Sequence, residues 1–393
     1  MAYMAVEDSS EDVDFGALVS RNADSWWLVY SIERAATADP VLVLLEIEDK
    51  AVQEKIYYEE AFLDRGVRIH VPLGASVAVV SVETVEEWLQ PDVRAKFSKV
   101  SFVANTGRCG STLFHKLLLW TGKVVSLSEP QWCDVIGKGE AYNEASCEQL
   151  TRAAKVCVLL DFYFADKAFG DSGTSYYSLN PKGGSPRFQL ALYDAFPESK
   201  HVFMYRACHK VVESFGSLGV GREQQRGGPP PQQGPPPRFS PIVERVEGLP
   251  EALSQLSSAG AKRNVNGWLT TILGWCEPQF DKIKDKFVMR MDEFVGQETK
   301  HKVVRTVLTD FLHLDDFAYD PADADDKVFA VDSQKGSNMS RRDKAKPRFL
   351  TDADLDLIQT SILPTAFKDA PPGRILKLDG QDLILKGSAG VDD

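Results

Sequence analysis

The stretch Val100-Ser-Phe-Val-Ala104, Asn105-Thr-Gly-Arg-Cys-Gly110, Ser111-Thr-Leu-Phe-His-Lys-Leu-Leu-Leu-Trp120 decides how the chain is read. An apolar run ends in a loop with two glycines, and the loop opens into a segment of helical texture. This is a strand, a loop and a helix. Such a loop presents unpaired backbone N–H groups and the positive end of a helix dipole, a setting that suits a phosphate. Gly107 and Gly110 permit close approach of the backbone to an anion. A nucleoside triphosphate loop of the Walker type would carry lysine directly after the second glycine, where this chain has Ser111-Thr112. The nearest cation is Arg108. The pattern argues against an ATPase or GTPase and for a 5′ anion cradled by Arg108 and the hydroxyls of Ser111 and Thr112.

Further strands are expected at Lys123–Ser128, Ser175–Leu179, Lys200–Tyr205 and Lys286–Met291. They alternate with helical stretches near 144–168, 186–196, 207–217, 264–276 and 298–312. The alternation predicts an α/β fold, a parallel sheet flanked by helices with a phosphate-binding loop. Upstream, Trp26–Tyr30, Val41–Leu45, Val67–Val71 and Val77–Val80 read as short strands of a small β-rich N-terminal domain over 23–98. Residues 1–22 read as a disordered acidic tail, 99–375 as the α/β domain and 376–393 as a C-terminal tail.

The stretch Gly227–Arg238 carries six prolines between 229 and 237 and marks a surface insertion, taken as 222–240. A polyproline-binding partner is one expectation for it and a solvated loop the other. Residues 315–326 are rich in aspartate but lack the glycine and closing glutamate of a calcium loop, so they read as an acidic linker. The segment from Lys335 to Arg348 reverses the sign and is the densest basic cluster.

With 393 residues the chain calls for two domains or one large α/β domain with additions. Lys and Arg number 45 against 57 Asp and Glu, a net charge of −12. A molecule of that sign repels nucleic acid, anionic lipid and polysulfated polymers, so an anionic ligand must meet a local basic patch. Neither a targeting segment nor a membrane span is read, and six scattered cysteines without paired spacing fit reduced thiols; the expected location is cytoplasmic.

Thr106-Gly-Arg-Cys-Gly-Ser-Thr-Leu113 resembles the 5′-phosphosulfate loop of sulfotransferases that use 3′-phosphoadenosine 5′-phosphosulfate (PAPS). In that family an apolar strand ends in Arg and a Ser follows eight residues later, both on the 3′-phosphate of the nucleotide. Here Lys200–Tyr205 leads to Arg206, and Ser214 stands at that spacing. A strand-end arginine offers a two-pronged fork to a phosphate. A third element, Asp332-Ser-Gln-Lys-Gly-Ser337, is similar to the family's C-terminal nucleotide loop and is followed by Arg341 and Arg342. The resemblance spans roughly 99–350. The family's proline after the strand-end arginine is absent, as are a further glycine and tryptophan of the third element.

The resemblance implies a PAPS-dependent sulfotransferase acting on a hydroxyl or amine of a small-molecule acceptor, with no metal. Its nucleotide residues would be Thr106, Gly107, Arg108, Cys109, Gly110, Ser111, Thr112, Arg206, Ser214, Lys335 and Gly336. Sulfuryl transfer needs a base for the acceptor proton and cations for the departing phosphate. Glu129, in Ser126-Leu-Ser-Glu-Pro130 after a strand, is the candidate base, and Arg108 the catalytic cation. His115 and His209 compete with Glu129, for which the alternative is a capping or ion-pairing carboxylate before a proline turn. Cys109 fits the loop by size, since a Cys-x5-Arg phosphatase pattern is absent. Lys182 is a further candidate near the acceptor, and Trp132 a candidate wall of the acceptor pocket, whereas Trp268 and Trp275 sit at core spacing. Rival readings are a nucleotide kinase or NTPase and a non-catalytic nucleotide-binding relative.

Overall fold

The computed structural model describes residues 15–20, 24–35, 37, 39–72, 74–89, 91–138, 146–171, 173–181, 185–226, 238–314, 316–332 and 348–368. Lys182, the proline-rich run 227–237, Lys335, Gly336, Arg341 and Arg342 lie outside them.

Among the described residues eight strands form two sheets: β1 (Trp26–Glu33), β2 (Val41–Ile47) and β3 (Val77–Ser81) form one, in that order, with antiparallel pairing. The others are β4 (Val100–Asn105), β5 (Val124–Ser128), β6 (Tyr176–Asn180), β7 (Lys200–Tyr205) and β8 (Lys286–Arg290), in the order β5-β6-β4-β7-β8. The β4–β6 and β5–β6 ladders run parallel, with Ser101 opposite Ser178 and Ser128 opposite Asn180. Every residue of β4, β5 and β6 is buried, Ser101, Ser126, Ser128 and Ser178 included, as in a parallel sheet covered on both faces. The helices that matter below are α1 (Leu63–His70), α2 (Ser111–Trp120), α3 (Gln131–Lys138), α4 (Cys147–Phe169), α5 (Pro186–Ala195), α6 (Cys208–Arg226), α7 (Ala259–Cys276) and α8 (Met291–Val295). The α/β architecture with a parallel sheet is therefore as expected, and among the described residues no helix is long and apolar enough to cross a membrane.

The chain divides into two compact units. The first comprises residues 1–104, 111–202 and 304–340, the second 105–110, 203–303 and 341–393. In the first, the core joins the antiparallel sheet to α4 and α5, with Trp26, Leu44, Phe102, Trp132, Phe162 and Phe188 essentially inaccessible. The helix α4 is started by a capping box in which Ser146 and Gln149 satisfy each other's backbone N–H. In the second, α6, α7 and β8 pack around Val212, Leu269, Ile272 and Met289.

Two expectations are corrected. Val67–Val71 is not a strand; Val67 and His70 belong to α1, and Val71 only caps it. Leu63 and Val67 are buried one turn apart, Arg68 pairs with Asp64 at 2.5 Å, and Ile69 is left 53% exposed, whereas strand alternation would have buried it. The N-terminal stretch thus mixes three strands with helices. The acidic stretch 315–326 is not simply a linker: Asp320 caps a helix Pro321–Ala324, and Asp323 accepts the indole N–H of Trp120 at 2.8 Å.

One buried carboxylate ties the first unit together. Asp161 on α4 is 2% exposed and accepts the backbone N–H of Val29 at 2.8 Å and the indole N–H of Trp132 at 2.6 Å. Burial pushes its pKa up to about 7, against the pull of these two hydrogen bonds. Between about pH 4 and pH 7 the folded chain holds a proton that the unfolded chain has released. Its contribution to stability is therefore full below about pH 4 and is lost as pH rises through 7. Asp161→Asn should flatten this fall, seen as a wild-type to variant Tm difference that changes between pH 4 and 8; parallel curves would reject it. Asp161→Ala leaves two buried donors unpaired and should cost on the order of 2–4 kcal/mol in chemical denaturation.

Candidate functional site

The loop after β4 is built from side-chain and backbone constraints within the second unit. Asn105 Oδ1 accepts the N–H of Gly107 at 2.9 Å, and the N–H of Thr106 donates to the carbonyl of Met204 at 3.1 Å. Gly107 (φ +74°), Arg108 (φ +53°) and Gly110 (φ +87°) all adopt left-handed backbone. The loop then enters α2 at Ser111. For arginine that conformation costs roughly 1–2 kcal/mol and persists only where the surroundings impose it. Among the described residues the non-glycine positive-φ positions are Arg34, Arg108, Glu129 and His313. Two of these four are the residues the sequence nominated for catalysis.

Arg108 is half-buried, and its Nε donates to Ser214 Oγ on α6 at 2.8 Å. Its guanidinium pKa is lowered first by burial and then by the like charge of Arg206. Arg206 follows β7 directly, and its carbonyl accepts the indole N–H of Trp268 at 2.9 Å, so α7 fixes the backbone from which this arginine projects. Among the described residues, the buried Arg206 Nε and Thr106 Oγ1 have no hydrogen-bond partner. A buried donor without a partner is costly, and the like charge of a neighbouring arginine adds to that cost unless an anion joins them. The structure thus brings together Thr106, Gly107, Arg108, Cys109, Gly110, Arg206 and Ser214 from three stretches of sequence. Cys109 is fully buried, in keeping with a size role in the loop.

Of the remaining candidates, Ser111, Thr112, His115, Glu129 and Trp132 belong to the first unit, and His209, Trp268 and Trp275 to the second. Ser111 and Thr112 are buried in the first turn of α2. Glu129 leaves β5 with left-handed backbone (φ +54°), is half-buried, and its N–H donates to the carbonyl of Asn180 at 2.8 Å. His115 is buried, its Nδ1 lies 2.8 Å from Ser126 Oγ, and burial followed by Lys116 holds its pKa well below the usual value, so it is a neutral packed group. His209 is half-buried in the first turn of α6. Trp132 is a correction: it is wholly buried and bonded to Asp161, hence core and not a pocket wall. Trp268 and Trp275 are core, as their spacing implied. A narrow cavity bordered by Tyr57, Leu63, His115 and Ser128 has room for little more than a water and is too small for an acceptor.

Sequence reasoning missed Phe215, Lys210, Arg290 and Asp292. Phe215 is 37% exposed, and a Cβ built on Gly107 would stand 2.8 Å from its Cζ. The aromatic thus covers the loop where only glycine fits. Lys210 was findable: it stands four residues from both Arg206 and Ser214.

Gly107→Ala should destabilise by about 1–2 kcal/mol through its left-handed φ, with an added clash against Phe215. Phe215→Ala in the same chain should recover the clash and not the backbone strain. A double-mutant cycle in urea checks this, and full additivity would mean the ring moves aside freely.

No protein-family model matches the chain, and no curated protein is significantly similar to it.

Proposed function

We propose that the protein is a PAPS-dependent sulfotransferase acting on a hydroxyl or amine of a small-molecule acceptor in the cytoplasm. The observation that carries the reading is the pair Arg108 and Arg206, partly desolvated beside each other and joined to the hydroxyl of Ser214. In a chain of net charge −12 this local concentration of positive charge matches an anionic ligand. Its two arginines match a ligand with two separated anionic groups, as the nucleotide has on its 5′ and 3′ sides.

In this reading Arg108, the loop N–H groups and the hydroxyls of Ser111 and Thr112 hold the 5′ anion. Arg206 and Ser214 hold the 3′-phosphate, with Lys335 and Gly336 as further nucleotide residues. The bound donor supplies an activated sulfuryl group, transferred as a new O–S or N–S bond forms and the bond to the 5′-phosphate breaks. Arg108 offsets the charge growing on that departing phosphate. Glu129 takes the proton of the acceptor; its strained backbone at a strand's carboxyl end is the kind of feature that gathers at active sites. No step calls for a metal.

Thermal-shift titration tests the reading: 3′-phosphoadenosine 5′-phosphate should stabilise the protein without Mg²⁺ and more than ADP does. Stabilisation by ATP with Mg²⁺ alone would make it a kinase or NTPase. Arg206→Ala should weaken the 3′-phosphorylated nucleotide more than its dephosphorylated analogue, and equal losses would remove Arg206 from the 3′-phosphate. Glu129→Gln should lower turnover by about two to four decades with nucleotide affinity nearly intact. An unchanged rate would transfer the base role to His209.

A further inference from the structure

Three contacts in the second unit close a circuit around the arginine pair. The loop meets α6 through Arg108 and Ser214. The helix α6 meets α8 through Lys210 and Asp292, with Nζ and Oδ1 3.5 Å apart. The helix α8 meets the loop again, where Met291 and Phe294 would both touch a Cβ on Gly110 at 3.6 Å. Lys210 lies one helical turn before Ser214 on the same face of α6, and four residues after Arg206, which precedes the helix.

What holds Lys210 is weak. The separation of 3.5 Å is longer than a charge-assisted hydrogen bond, and the side chains of Lys210 and Asp292 remain 42% and 30% exposed. Exposed pairs of this kind contribute little. Asp292 is also shared: Arg290, the last residue of β8, points Nε at its other oxygen from 3.4 Å. One carboxylate between two cations leaves positive charge uncompensated. A lysine held this loosely, on the helix face that carries Ser214 and close in the chain to Arg206, exchanges its partner readily for a doubly charged oxyanion.

We infer that Lys210 is a third ligand of the nucleotide's 3′-phosphate and sets the preference for nucleotides that carry one. This rests on the sulfotransferase reading, and the test separates the two. Calorimetric titration of the full chain compares 3′-phosphoadenosine 5′-phosphate with adenosine 5′-monophosphate. Wild type should favour the first; Lys210→Gln should cut that preference about tenfold through the 3′-phosphorylated nucleotide, leaving the monophosphate within about twofold. Lys210→Arg should restore most of the preference. If wild type binds both nucleotides equally, the donor reading fails and the inference with it. If wild type shows the preference and Lys210→Gln keeps it, or loses both affinities equally, Lys210 is not a phosphate ligand while the donor reading stands.

Discussion

Strands buried on both faces can offer chemistry only at their ends. The strands β4, β5 and β6 are inaccessible along their whole length, and β7 is nearly so. Helices must therefore cover the sheet, and polar groups leave it where the chain turns from strand to helix. Arg108 comes from the loop after β4, Glu129 from the turn after β5, Arg206 from the residue after β7 and Arg290 from the end of β8. In each unit the candidate side chains stand where that constraint puts them.

The same constraint sets an electrostatic problem. Burial, and then the like charge of Arg206, lowers the preference of Arg108 for its charged form. Ser214 relieves part of it for Arg108, and the indole of Trp268 fixes the backbone of Arg206 without neutralising it. Glu213, the carboxylate next to Ser214, is already engaged by the backbone N–H groups of Phe349 and Leu350, at 2.5 and 2.8 Å. The ring of Phe349 lies against Gly216 and Gly260, so a Cβ on Gly216 would fall within 2.0 Å of it. The acid closest in sequence thus anchors a segment far along the chain.

In the first unit the buried carboxylate does the opposite work. Asp161 spends its charge on two donors from β1 and α3, so its role is to fix packing. Its cost appears as a raised pKa, and the reward is a defined place for Trp132, which sequence alone offered as a ligand contact. An indole beside a catalytic turn and an indole in a core look alike in one dimension. Only the position of Asp161, twenty-nine residues away on another helix, separates them.

The strand, loop and helix at 100–120, the four strands that follow and the eight-residue spacing of Arg206 and Ser214 were legible because each is a local pattern of period or distance along the chain. The left-handed backbone at Arg108 and Glu129 was not, since neither residue type demands it and only surrounding packing imposes it. Val67–Val71 was misread because five residues fit two periods, and the contact that chose helix, Leu63 with Val67 inward and Ile69 outward, is tertiary. By itself the sequence determined the α/β class and nominated residues for an anion. The tertiary structure decided that Arg108, Arg206 and Ser214 converge, that Lys210 and Asp292 join their circuit and that Trp132 does not belong to a pocket. Convergence across a hundred residues depends on which strands pair and which helix faces pack, and no spacing along the chain encodes that alone.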